Sequence, residues 1–167
     1  MTDIRIDDLA EPVFDEFQRS VLEFGESLAT DFSPEGILSE ASNVLAMTDF
    51  GPDDFRERLD LICDEWGNDA GLTGIGRFGL RKRLVGYARN RLLIQDMLSR
   101  HPEIHEQKIE QPIIVIGLPR TGTTHLLNLL AADSRLRAMP LWESYEPVPT
   151  PGEGMLEDGT DPRYQRC

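Results

Sequence analysis

Cysteine is nearly missing from this chain. Its two cysteines, Cys63 and Cys167, lie far apart and form no CxxC or Cys/His spacing, which gives little support to a disulfide framework or a zinc site. Also missing is any run near the ~20 apolar residues of a membrane span. The opening MTDIRIDDLAEPVF is acidic where a secretory leader would carry a basic head and an apolar stretch. Basic residues are outnumbered, 17 against 30 acidic, for a formal charge of -13. That balance argues against a broad nucleic-acid footprint or attachment to an anionic membrane, so any anionic ligand must be held locally. There is no internal repeat and no long low-complexity tract. What remains, 167 residues with 40% hydrophobic content, can build one ordinary core and predicts a soluble, cytoplasmic protein in a reducing compartment.

Helical periodicity fills the first two thirds. Val13, Phe17, Val21, Phe24 and Leu28 recur at helical spacing between Glu11 and about Thr30, with Pro12 suited to a first turn. Ser33-Pro34 predicts a cap and first-turn proline for a second helix through Ile37, Leu38, Ala41 and Leu45. After the break FGPDDF, residues Phe55, Leu59, Ile62 and Trp66 mark a third helix ending near Gly67 or Gly71. A long fourth starts near Arg77, carries Leu80, Leu84, Tyr87, Ile94 and Leu98 on one face, and stops at His101-Pro102.

Residues 1–60 hold 16 acidic and 4 basic side chains, whereas 77–100 hold 7 basic and 1 acidic. A basic face paired with the acidic helices explains that contrast most simply; the alternative is that one or two of these arginines meet an anionic ligand.

At Gln111-Pro112 the pattern changes. Ile113, Ile114, Val115 and Ile116 form a continuous β-branched run, which predicts a strand covered on both faces, as at the centre of a parallel sheet. The loop GLPRTGTT follows at once, then a helix from Thr123 through Leu126, Leu127, Leu129 and Leu130 to about Asp133-Ser134. A short strand is expected at Leu136 to Met139, and the Pro/Gly-rich tail reads as loop or lid. A central parallel strand needs neighbours on both edges and two strands at most are foreseen, so a truncated chain is expected.

Strand, glycine turn and helix start together aim backbone N–H groups and a helix dipole at one spot, which suits an anion. Gly117 permits the turn, Pro119 stiffens it, Gly122 lets a phosphate approach, and Thr123 and Thr124 add hydroxyl donors. A nucleotide-hydrolysing loop would put lysine where Thr123 stands. Here the loop's cation is Arg120, a planar fork suited to a tetrahedral oxyanion.

Residues Ile113 to Thr124 resemble the 5'-phosphosulfate loop of sulfotransferases that use 3'-phosphoadenosine 5'-phosphosulfate (PAPS). The arginine form PRTGTT looks like the branch that includes protein-tyrosine sulfotransferases and many bacterial members. The resemblance covers most of the chain, with its specific motif within about residues 113–147. It implies an α/β, P-loop-like sulfotransferase domain beginning at 111–167, preceded by a helical subdomain over 1–110. It implies PAPS as co-substrate with no metal, and a small-molecule, lipid or glycan acceptor.

Pro119, Arg120, Thr121, Gly122, Thr123 and Thr124 would hold the donor, with Arg120 also stabilising charge on the bridging oxygen. Glu143 is the matching base for the acceptor's proton, with Glu146 and His125 as rivals; Trp142 and Tyr145 are candidates to line an acceptor pocket. Relatives hold the donor's 3'-phosphate with an arginine and a serine from later elements, and no such motif precedes Cys167. Two other readings stay open: a P-loop nucleotide kinase or NTPase with a displaced cation, and a non-catalytic helical interaction module.

Overall fold

The computed structural model describes residues 11–28, 30–68 and 71–166. Residues 1–10 and Cys167, on which the leader and cysteine expectations partly rest, lie outside the described residues. The chain forms two compact units, 1–89 and 90–167.

In the first unit, α1 spans Glu16–Ser27, a later start than the apolar spacing predicts. The reason is a capping box: Asp15 Oδ1 accepts from the Gln18 backbone N–H at 2.7 Å, and Gln18 Oε1 accepts from the Asp15 N–H at 2.9 Å. These bonds satisfy two end donors and outweigh a start at Pro12. Helix α2, Pro34–Leu45, begins as expected, with Ser33 Oγ accepting from Gly36 N–H at 3.1 Å. A 3-10 turn at Asp53–Phe55 leads into α3, Arg56–Asn68. Helix α4, Gly74–Arg100, starts a turn before Arg77, because Thr73 and Glu26 serve its first N–H groups: Thr73 Oγ1 accepts from Gly76 and Glu26 Oε1 from Gly74 at 2.8 Å.

Among the described residues of this unit, Phe32, Ile37, Leu38, Ala41, Phe50, Cys63, Leu84, Val85 and Ala88 are the buried apolar ones. The buried stripe of α4 therefore follows 84, 85 and 88, while Tyr87, expected on the core face, is 54% exposed. Trp66 meets Phe32 edge-on at 6.4 Å, and burial helped by Asp60 pushes the Cys63 thiol up to about 11. Three members of the basic run on α4 meet acidic or carbonyl partners in this unit. Arg77 Nη1 donates to the Gly67 carbonyl at 2.9 Å and Arg81 Nε to that of Asp31 at 2.9 Å, while Arg81 and Lys82 share the Glu40 carboxylate.

In the second unit, α4 continues to Arg100 with Leu92 and Leu93 buried, and Ile94, expected on the core face, is exposed. A 3-10 turn at Pro102–Glu106 follows. The strands expected at 113–116 and 136–139 are absent: no strand is formed among the described residues. A strand exists only through the N–H and C=O groups of a neighbour, and no backbone hydrogen bond joins 112–117 to another described segment. Ile113, Ile114 and Ile116 are accordingly exposed, at 63%, 74% and 88%. Helix α5, Thr123–Ala131, follows the loop as expected. Two short helices follow, α6 at Leu141–Tyr145 ahead of the Pro/Gly-rich tail and α7 at Pro162–Arg166 inside it.

Candidate functional site

The loop is a tight turn closed on itself. Thr121 Oγ1 donates to the Leu118 carbonyl at 2.6 Å, and the Thr121 N–H reaches the same oxygen at 3.3 Å. Two residues stand in the left-handed region, Arg120 at φ 67° and Gly122 at φ 90°. The second suits glycine; the first is a strained position for arginine, which places it among the backbone outliers that cluster at ligand clamps. At Gly117 a β-carbon would come within 2.7 Å of Thr121 Oγ1 and 2.8 Å of Thr123 Cγ2, so the turn closes only over a residue without a side chain.

Gly122 is the N-cap of α5 and offers no side-chain acceptor. The first N–H groups of an α-helix have no intrahelical partner, so at α5 they remain directed at the loop. Beside them stands Arg120, exposed and without a hydrogen bond or ion pair among the described residues. The other loop-side arginines are engaged: Arg135 on Asp133 at 2.6 Å, Arg137 on Glu143 at 2.7 Å, Arg163 on Asp161 at 2.7 Å, and Arg166 on Glu146 and Glu153. An unpaired arginine two residues before the uncapped start of a helix is suited to a tetrahedral anion. An open cleft of about 510 Å³, lined by Ile113, Val115, Leu127, Leu130 and Leu136 among others, contains none of the loop residues.

Pro119, Arg120, Thr121, Gly122, Thr123 and Thr124 thus lie together as one turn and helix start. Glu143 sits on α6, its carboxylate bound to Arg137 rather than to the loop. Glu146 is held through both oxygens by Arg166 Nε, at 3.2 and 3.1 Å. His125 is exposed on α5. Trp142 lies under the Arg163 guanidinium at 4.8 Å, and Tyr145 is 54% exposed with its carbonyl accepting from Asn90 Nδ2 at 2.6 Å. Sequence reasoning missed Arg137, Arg163 and Arg166. The signal for the last two was Asp161-Pro162, an acid directly before a first-turn proline, which starts a helix inside an otherwise loop-like tail.

Residues 112–165 match the profile of a family described as the sulfotransferase family. Among solved structures, the chain is similar to sulfotransferase STF1 of Mycobacterium tuberculosis, at 34% identity and a TM-score of 0.69, over 80% of this chain and 37% of that one. It is also similar to sulfotransferase STF9 of Mycobacterium avium, at 27% identity and a TM-score of 0.70, over 84% of this chain and 35% of that one. The chain therefore spans little more than a third of the length of either structure. No curated protein matches it. No helix among the described residues is long and apolar enough to cross a membrane.

Proposed function

Residues 112–165 are a sulfotransferase-family segment, and from that premise we propose that the protein transfers a sulfuryl group from PAPS to a hydroxyl or amine acceptor in the cytoplasm. The supporting observation is Arg120: the loop keeps one arginine out of the ion pairs among the described residues, two positions before a helix N-terminus that has no side-chain cap. PAPS would supply an activated sulfuryl group on a 5'-phosphate. Thr121, Gly122, Thr123 and Thr124, with Pro119 stiffening the turn, offer the backbone and hydroxyl donors for that phosphate. Arg120 reaches the phosphosulfate and takes up charge that grows on the bridging oxygen as its bond to sulfur breaks.

The acceptor must lose a proton as its own bond to sulfur forms. Glu143 is the group assigned that proton. Its rival Glu146 has both oxygens occupied by Arg166, whereas Glu143 is held by Arg137, whose side chain is 75% exposed. Among the described residues, only Oε1 of Glu143 is engaged, by one bond of 2.7 Å from Arg137. The acceptor is a small molecule, lipid or glycan bearing a hydroxyl or amine.

Calorimetric titration of the full-length protein with 3'-phosphoadenosine 5'-phosphate (PAP) and with Mg-ATP tests the donor. PAP is expected to bind and Mg-ATP to bind weakly or not at all; the reverse order would replace the reading by a P-loop kinase or NTPase. Arg120→Ala should abolish sulfuryl transfer with the circular dichroism spectrum unchanged. Glu143→Gln should lower turnover by about 100-fold or more, in the range of general-base catalysis, with PAP affinity held. Unchanged turnover would remove Glu143 from its role.

A further inference from the structure

Arg163 is the buried charged residue among the described ones, with 9% of its surface exposed. Every edge of its guanidinium is used within the second unit. Nε and Nη2 grip the two oxygens of Asp161 at 3.0 and 2.7 Å, and Nη1 donates to the carbonyl of Glu146 at 2.8 Å. Its flat face lies over the Trp142 ring, 4.8 Å from the centroid. Trp142 and Glu146 bracket Glu143: one stands near the start of α6, the other just past its end.

Helix α6 needs such support. Five residues are far below the length at which a helix persists unaided, and Pro140 at its N-cap supplies no side-chain acceptor. A buried ion pair is a poor way to add stability, since desolvation offsets much of its attraction. A planar fork is, however, a good way to fix geometry, because each donor has one direction. Glu143 also lies close enough for its charge to reinforce that of Asp161 in raising the pKa of Arg163.

We propose that Arg163 is a positioning residue for Glu143: by holding Trp142 and the Glu146 carbonyl together it fixes the one-turn helix that carries the carboxylate. This rests on the reading of Glu143 as the base. Removing the clamp leaves the loop at 117–124 intact, so donor binding and proton abstraction are expected to separate.

The test uses the full-length protein, with Arg163→Lys, Arg163→Gln and each combined with Glu143→Gln. Amide hydrogen exchange should rise at 141–146 and stay unchanged at 119–131. Arg163→Lys keeps charge but loses the fork and the stack; it should lower kcat about 10-fold, and Arg163→Gln up to about 100-fold, as expected for misplacement by up to ~1 Å. The PAP dissociation constant should stay within about twofold. On a Glu143→Gln background either substitution should add less than about twofold, because groups acting through one carboxylate are not additive. Losses that multiply, or donor affinity that falls in step with kcat, would overturn the proposal. Unchanged exchange at 141–146 with slow Glu143→Gln turnover sinks the positioning role alone. Normal turnover in Glu143→Gln sinks the base and the catalytic half of the proposal with it.

Discussion

A single hydrogen atom decides the junction of α1 and α4. At Gly74 a β-carbon would land on the Gly25 carbonyl and 2.7 Å from the Glu26 nitrogen, and at Gly25 it would lie 2.5 Å from the Ile75 nitrogen. All of these neighbours are main chain and cannot rotate away. Intrinsic propensity pulls the other way: alanine is favoured over glycine in a helix by ~1 kcal/mol. Overpacking against backbone costs ~1–3 kcal/mol, so the clash wins. Gly74→Ala is expected to destabilise the protein by about 1–2 kcal/mol, read as a lowered urea midpoint; an unchanged or raised midpoint would mean that the two helices can part freely. The same logic holds at Gly117, where the closing partners are Thr121 and Thr123 and the object protected is the loop.

At the scale of elements, capping explains most boundaries. Ser33→Ala removes the acceptor for the Gly36 N–H, and a lost serine cap costs ~1 kcal/mol. The expected result is a urea midpoint lowered by that energy divided by the urea m-value, with faster amide exchange confined to the first turn of α2. The Ser33-Pro34 signal was legible because a cap is local chemistry, and the loop and α5 were legible for the same reason. The Asp15 start of α1 was equally local, but apolar spacing drew the helix further back than its capping box allows. What local chemistry does not carry is pairing. Ile113–Ile116 reads as a strand by composition, yet β structure depends on a second segment, and none of the described residues supplies one. The pairing of basic residues of α4 with an acidic helix was foreseen in kind and is met by Arg81 and Lys82 on Glu40; the carbonyl partners of Gly67 and Asp31 were not, because those contacts cross 10 and 50 positions of chain, beyond the reach of any periodic pattern. Arg163 was invisible for a related reason: it stands in a tail that composition marks as loop, and its partners Trp142 and Glu146 lie about 20 positions earlier in the chain.

For the molecule as a whole, acid is the informative variable. Glu40 is held below its ordinary value of 4.5 by hydrogen bonds from Lys82 and Arg81, Glu153 below 4.5 by Arg166, and Asp161 below 3.8 by Arg163. Each carboxylate binds its proton less tightly folded than unfolded, so stability rises with pH. That contribution is complete above the ordinary values and disappears as the pH falls through the depressed ones. A plateau from neutral pH to about 5, then a decline below about 4, is the expected profile of the thermal midpoint. A maximum in acid would show that relief of the -13 net charge outweighs these pairs.

The Arg163 stack has one more consequence, and it is optical. The chain's two tryptophans fall in different units: Trp66 against the Phe32 ring in the first, Trp142 beneath a guanidinium in the second. One indole packs against an aromatic ring and the other against a cation, so each reports on the unit that holds it. Each unit thus carries its own built-in lamp, so that loss of the first core and release of α6 can be watched separately in one unmodified polypeptide.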